Sequence, residues 1–142
     1  MSQIKIHCDR FEVSARTGVD IRDVSADILR VVKASGVENG VLTANVVGST
    51  GSITTIEHEP GVVADLARAI DRLAPPGEDY AHEEAWHDGN GHSHVQAALL
   101  GPSISVAVQG GRPALGTWQQ VVVINHDNKP RKRTVAVTVV GA

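Results

Sequence analysis

Ser103–Val140 reads SISVAVQGGRPALGTWQQVVVINHDNKPRKRTVAVTVV. Three apolar, β-branched runs lie in it: Ile104–Val108, Leu115–Ile124 and Thr134–Val140. The pair Gly110-Gly111 and the turn Asp127-Asn128-Lys129-Pro130 separate them. Runs of this length, bounded by such turn residues, predict strands joined as antiparallel hairpins. The last third of the chain is therefore read as β.

Upstream of this stretch the period changes. Pro60 suits the first position of a helix, and Val62, Val63, Leu66, Ala69, Ile70 and Leu73 fall at the spacing of a buried helical stripe, stopped by Pro75-Pro76-Gly77. Ile21, Val24, Ile28, Val31 and Val32 predict another helix after Asp20, ended by Gly36. Between the two, Gly40–Val47 and Ser52–Glu57 read as strands with a bend or bulge at Gly48–Gly51. At the start, Ile4, Ile6 and Cys8, then Phe11 and Val13, alternate as in a half-buried strand. Glu78 to about Asn90 is a polar loop, and Val95–Leu100 is a short helix, capped by Asn90 or Ser93, or else a strand. The order is strand, helix, two strands, helix, several strands. That is an α+β fold with a mostly antiparallel sheet and two main helices on one face, formed as one domain over residues 1–142.

The 142 residues are 42% hydrophobic and 20% charged, enough for a packed core. A net charge of −3 argues against nucleic acid as partner. No apolar run approaches membrane-spanning length, and the start MSQIKIHCDR has no secretory apolar region. Cys8 is the single cysteine, so no intrachain disulfide forms. A cytoplasmic protein is expected.

Four of the seven histidines, His82, His87, His92 and His94, fall in one short segment. Imidazoles gathered with carboxylates are the donor set of zinc and related ions. Surface and capping histidines are the plainer reading. His92 and His94 share a face on a strand but not on a regular helix, and Asp88 and Glu84 offer oxygen donors. Gly48-Ser49-Thr50-Gly51 offers hydroxyls and approachable backbone N–H groups for an anion, or is a strand bulge. Glu57 is a ligand or general base, or a solvated strand end. Trp118 and Gln119 line a pocket, or Trp118 is core. Arg131 and Arg133, two apart, clamp phosphate or form a solvated face.

The stretches GSTGSITTIEHEPG (Gly48–Gly61), YAHEEAWHDGNGHSHVQAALLGPS (Tyr80–Ser103), LGTWQQVV (Leu115–Val122) and DNKPRKR (Asp127–Arg133) together resemble the YjbQ family, whose members are often labelled secondary thiamine-phosphate synthase. The resemblance implies a compact α+β subunit, a homotrimer, a bound metal that is often zinc, and weak thiamine-phosphate synthase activity. That reaction joins a pyrimidine diphosphate to a thiazole phosphate. His82 matches the family's Tyr-x-His element, and His94 and Asn90 match its shared histidine and asparagine. Trp118 and Gln119 match Thr-Trp-Gln, and Arg131 matches Pro-Arg. Many members carry His-Thr-Thr-Ala where this chain has Gly48-Ser49-Thr50-Gly51, so that histidine is missing, and His87 or His92 is left to supply a third ligand.

The resulting expectation is a trimeric metal-binding enzyme acting on a small phosphorylated molecule. His82, His92 and His94 hold a divalent metal, zinc, or magnesium with a diphosphate substrate. Glu57 and His87 are catalytic. Ser49, Thr50, Asn90, Trp118, Gln119 and Arg131 bind substrate. The alternatives are a non-catalytic binding trimer and a metal-dependent phosphohydrolase.

Overall fold

The structure is a computed structural model that describes residues 3–142. Its strands are β1 Lys5–Ala15, β2 Asp20–Asp23, β3 Gly40–Val47, β4 Gly51–Ile56, β5 Ser103–Gln109, β6 Arg112–Pro113, β7 Gln120–Asn125 and β8 Arg131–Gly141. Its helices are α1 Ser25–Ser35, α2 Pro60–Leu73, α3 His82–Trp86 and α4 Gly91–Leu100. All strand pairs are antiparallel, in a five-stranded sheet β1-β8-β3-β5-β6 and a three-stranded sheet β2-β7-β4.

The expected α+β, antiparallel architecture is what forms, with the sheet divided in two. β7 explains the division. Val121 and Val123 face a core shared with α1 and the inner side of the larger sheet, alongside Leu42, Val108, Val135 and Val137. Val122 and Ile124 face the other way, against Ile21 and Ile70 of α2. A strand covered on both faces reads as an unbroken apolar run rather than an alternation. α1 and α2 thus both lie on the inner side of the five-stranded sheet.

Among the described residues, none covers that sheet's outer side. Ile6, Val140, Val41 and Ala107 stand opposite one another across four strands. Ile6 is 73% exposed and Val41 40%.

Several local expectations shift. Phe11 and Ala15 enter the core, whereas Ile6 and Cys8, of opposite parity, point outward. Ile21 pairs with Ile124 in β2 instead of opening a helix, and α1 begins at Ser25. Residues 114–119 form a loop, so the strand expected over Leu115–Ile124 starts only at Gln120. On α2 the inward stripe is Val63, Leu66, Ala67 and Ile70, while Leu73 is exposed. The polar stretch before Asn90 contains α3, and Val95–Leu100 is helical within α4. No helix of the described residues is long and apolar enough to cross a membrane.

Candidate functional site

Three loops meet at one end of the sheets. Gly51 stands opposite Asn125, so the bend Gly48–Thr50 before β4 and the turn after β7 begin at the same level. The loop from α3 to α4 closes over them.

The turn after β7 is built around a buried carboxylate. Asp127 Oδ2 accepts from Thr50 Oγ1 at 3.0 Å and Arg131 Nε at 3.0 Å, and Oδ1 accepts from the Lys129 backbone N–H at 3.0 Å. Burial pushes this carboxyl up, but hydrogen bonds from Thr50, Arg131 and Asn90 and the Arg131 charge outweigh it and hold Asp127 below the usual carboxylate range. Arg133 is buried too. Its Nη2 donates to Asn125 Oδ1 and Thr50 Oγ1, each at 2.6 Å. The Thr50 hydroxyl therefore accepts from Arg133 and donates to Asp127, and is not free for a ligand as expected. Gly48 takes φ 135°, and a Cβ there would approach Arg133 Nη1 at 3.0 Å.

The α3–α4 loop is clasped by Glu83. One carboxylate oxygen accepts from Gly89 N at 2.6 Å and the other from Gly91 N at 2.8 Å. Gly91 packs so tightly on Tyr80 that a Cβ would overlap its Cβ. Asp88 Oδ1 accepts from Asn90 N at 3.0 Å. Asn90 Oδ1 accepts from Asn128 N at 3.1 Å and from Ser93 Oγ, tying loop to turn; neither Asn90 nor Ser93 caps α4 through its side chain. This arrangement leaves His82 Nε2 3.3 Å from Asp88 Oδ1. The His82 and His94 rings lie 4.4 Å apart between centroids. Slight burial acts upward on the Asp88 carboxyl, but the Asn90 N–H and His82 outweigh it and hold it low.

Together these loops wall a cleft of about 400 Å³. Ser49 and Thr50 form one side, Asp88, Asn90 and His94 a second, and Asp127, Arg131, Lys132 and Arg133 a third. Arg131, Lys132 and Arg133 line it against Asp88 and Asp127; Lys132 also pairs with Glu12 at 3.5 Å, and of the Arg131 guanidinium only Nε is engaged.

Of the residues singled out in the sequence, Ser49, Thr50, Asn90, His94 and Arg131 come together in this cleft, with His82 beside it. The others do not. His92 lies in the first turn of α4, where residues two apart diverge by about 200°. It turns away from His94 into a separate hollow of about 300 Å³ with Gln96 and His126. His87 ends α3 at φ 51°, exposed on the side of Asp79 and Tyr80. Glu57 lies beyond the far end of β4, roughly 20 Å from Gly51 at strand spacing. Trp118 is 72% exposed, and Gln119 donates to Thr55 Oγ1 at 3.1 Å at that same far end.

The expected trio His82, His92 and His94 does not assemble, because His92 turns away into the other hollow. Donor atoms of His82, Glu83 and Asp88 lie within 4.8 Å of one another. Both Glu83 oxygens are committed to the glycine N–H groups. His82 and Asp88 remain as close donors; the His94 ring lies beside His82, but its nitrogens do not join this group.

Behind the cleft, a polar chain passes through the protein interior. Gln96 donates its amide N–H groups to Asp71 Oδ1 and Ala74 O, so Oε1 faces His126 Nδ1 at 3.0 Å. His126 is then protonated at Nδ1, and Nε2 accepts from Ser52 Oγ at 2.7 Å. Burial, then the charges of Arg133 and His92, lower the His126 pKa to about 4.

Glu83, Asn125, His126 and Asp127 were not legible as site residues. The last three follow a buried apolar run directly, a signal that turn composition masks.

The family described as UPF0047 protein YjbQ-like matches residues 9–142. A UPF0047 protein of Methanothermobacter thermautotrophicus is 33% identical, over 92% of this chain and 90% of its own length. The UPF0047 protein YugU of Bacillus subtilis is 33% identical, over 84% and 92%. Among solved structures, a YbjQ-like protein of unknown function from Sulfolobus solfataricus P2 superposes with a TM-score of 0.93 at 28% identity, covering 99% of this chain and 100% of that one. A YjbQ/UPF0047 family protein from Clostridium acetobutylicum gives 0.84 at 29% identity, covering 92% and 98%. With nearly its whole length matched in sequence and in fold, the chain belongs to the YjbQ-like UPF0047 family.

Proposed function

We propose that this protein is a metal-binding enzyme acting on a small phosphorylated molecule. The observation that carries the reading is the position of His94 and the His82–Asp88 pair on a cleft that Arg131, Lys132 and Arg133 make cationic. Arg131 presents its free guanidinium N–H groups to the phosphate, and Ser49 its hydroxyl. His82, Asp88 and His94 hold a divalent ion, zinc, or magnesium when the substrate is a diphosphate. Such an ion supplies neutralisation of charge on the leaving oxygen. Glu57, beyond the far end of β4, and His87, on the side of Asp79 and Tyr80, stand away from this cleft and are not its proton-transfer groups. A weak thiamine-phosphate synthase activity, the reaction implied by the family resemblance, is one case of this chemistry.

A binding protein without turnover is the second reading. It is favoured by the saturation of Asp127, the buried carboxylate of the cleft, whose oxygens are already taken by Thr50, Arg131 and Lys129.

Further copies of the chain cover the bare row Ile6, Val140, Val41 and Ala107, consistent with a homotrimer. A cytoplasmic location suits the free, exposed Cys8.

The test is elemental analysis of dialysed, tag-free protein beside His94→Ala, followed by a screen of phosphate esters with the identified metal. About one ion per chain in the wild type, lost in the variant, with turnover that chelation abolishes, is expected. Full activity without metal would overturn the metal-dependent reading. Metal and phosphate binding without turnover of any ester would leave the second.

A further inference from the structure

The cationic cleft continues into a second hollow of different chemistry. Gly48, Ser49 and His94 also border a space of about 300 Å³ whose other walls are Gly51, Ala97, Ala98 and Pro102. Apart from His94, none of these walls carries a titratable side chain.

The local sequence explains the room. His94, Ala97 and Ala98 lie three and four residues apart on α4 and so share one face. Side chains that end at Cβ leave the space over that face open. Gly51 cannot lengthen from below, because a Cβ there would meet Val46 Cγ1 at 2.8 Å. Pro102 offers ring carbons and no N–H. A polyhydroxylated body placed here would exchange hydrogen bonds to water for apolar walls, a net loss. An uncharged, apolar body would gain by leaving water.

We propose that the ligand is a phosphate ester of a compact, apolar alcohol or ring. Its phosphate lies at Arg131 and Ser49, its body lies on Ala97, Ala98 and Pro102, and the ester linkage passes His94. The inference rests on the reading of the cationic cleft as a phosphate site. It makes Ala98 a specificity-determining residue and sets sugar phosphates apart as poor ligands.

The experiment titrates the full chain with inorganic phosphate, phenyl phosphate and glycerol 1-phosphate by calorimetry, in the wild type and in Ala98→Leu. Ala98 is exposed, so the leucine fills the hollow without entering the core. Phenyl phosphate should bind about tenfold more tightly than glycerol 1-phosphate, the gain from covering part of a ring. Ala98→Leu should erase that difference and leave inorganic phosphate unchanged. If inorganic phosphate does not bind at all, the phosphate reading of the cleft fails. If phosphate binds and the two esters bind alike, only the present inference fails. If the preference survives in Ala98→Leu, the body lies elsewhere and the inference fails as well.

Discussion

Ser52 Oγ lies 2.7 Å from His126 Nε2, and neither residue is more than 1% exposed. The imidazole accepts from the hydroxyl only while it is neutral. The folded pKa is about 4, against about 6.5 unfolded. Above pH 6.5 both states are neutral at this ring, and its stabilising contribution is fully present. As pH falls from 6.5 to 4 the unfolded chain takes up a proton that the folded protein refuses, so stability declines, by about 3 kcal/mol in total for a shift of this size. Urea denaturation across that range should show the decline. His126→Asn should be less stable at pH 7 but flatter in its pH dependence. An equally steep slope in the variant would assign the loss to other groups.

Arg131 and Arg133 stand two residues apart and should behave oppositely. Arg133 is buried and hydrogen-bonded to Asn125 and Thr50. Lysine cannot reproduce that forked contact, so Arg133→Lys should cost about 3 kcal/mol of stability. Arg131 is 48% exposed in its side chain. Arg131→Ala should cost about 1 kcal/mol or less and weaken inorganic phosphate binding about tenfold. Denaturation curves and calorimetry on the same samples separate the two. A stable Arg133→Lys variant would show that the buried network does not depend on the fork.

The bare row Ile6, Val140, Val41 and Ala107 should be an interface between copies. Sedimentation of the wild type at micromolar concentration should give a trimer mass, and Ile6→Lys with Val41→Lys a monomer of unchanged secondary structure. A monomeric wild type would remove the oligomer from the functional proposal.

The sequence carried the fold well where one face of an element meets water. β3, the helix opened by Pro60, and the turns at Gly110-Gly111 and Asp127–Pro130 all stood at their expected places. It misled where tertiary context reverses a local pattern. Ile21 sits at helical spacing from Val24 and Ile28, yet strand pairing with Ile124 prevails. Trp118 lies in a run that looks continuous with β7, but the loop 114–119 must carry the chain from one sheet to the other.

Half of the cleft was legible for a similar reason. Ser49 and Asn90 belong to polar loops, His94 lies in the first turn of α4 and Arg131 opens β8, all in stretches whose polar composition stands out from the apolar runs. His92 was drawn to His94 by nearness in sequence, and the helical period separates them. Asp127 was hidden, and Arg133 was read as a phosphate clamp or solvated face, because their role is to hold one another through Thr50, a relation between distant segments that no local spacing encodes.

β7 has one more consequence. Val121–Ile124 are sealed on both faces, and their N–H groups are shared with β2 and β4 on either side. Amides in such a strand exchange with deuterium only through global opening of the molecule. The cleft's carboxylate, Asp127, hangs two residues from its end. The cleft thus hangs on one side from a strand expected to exchange slowly, while its His82–Asp88 side, next to a five-residue helix with no buried residue, is expected to open on its own.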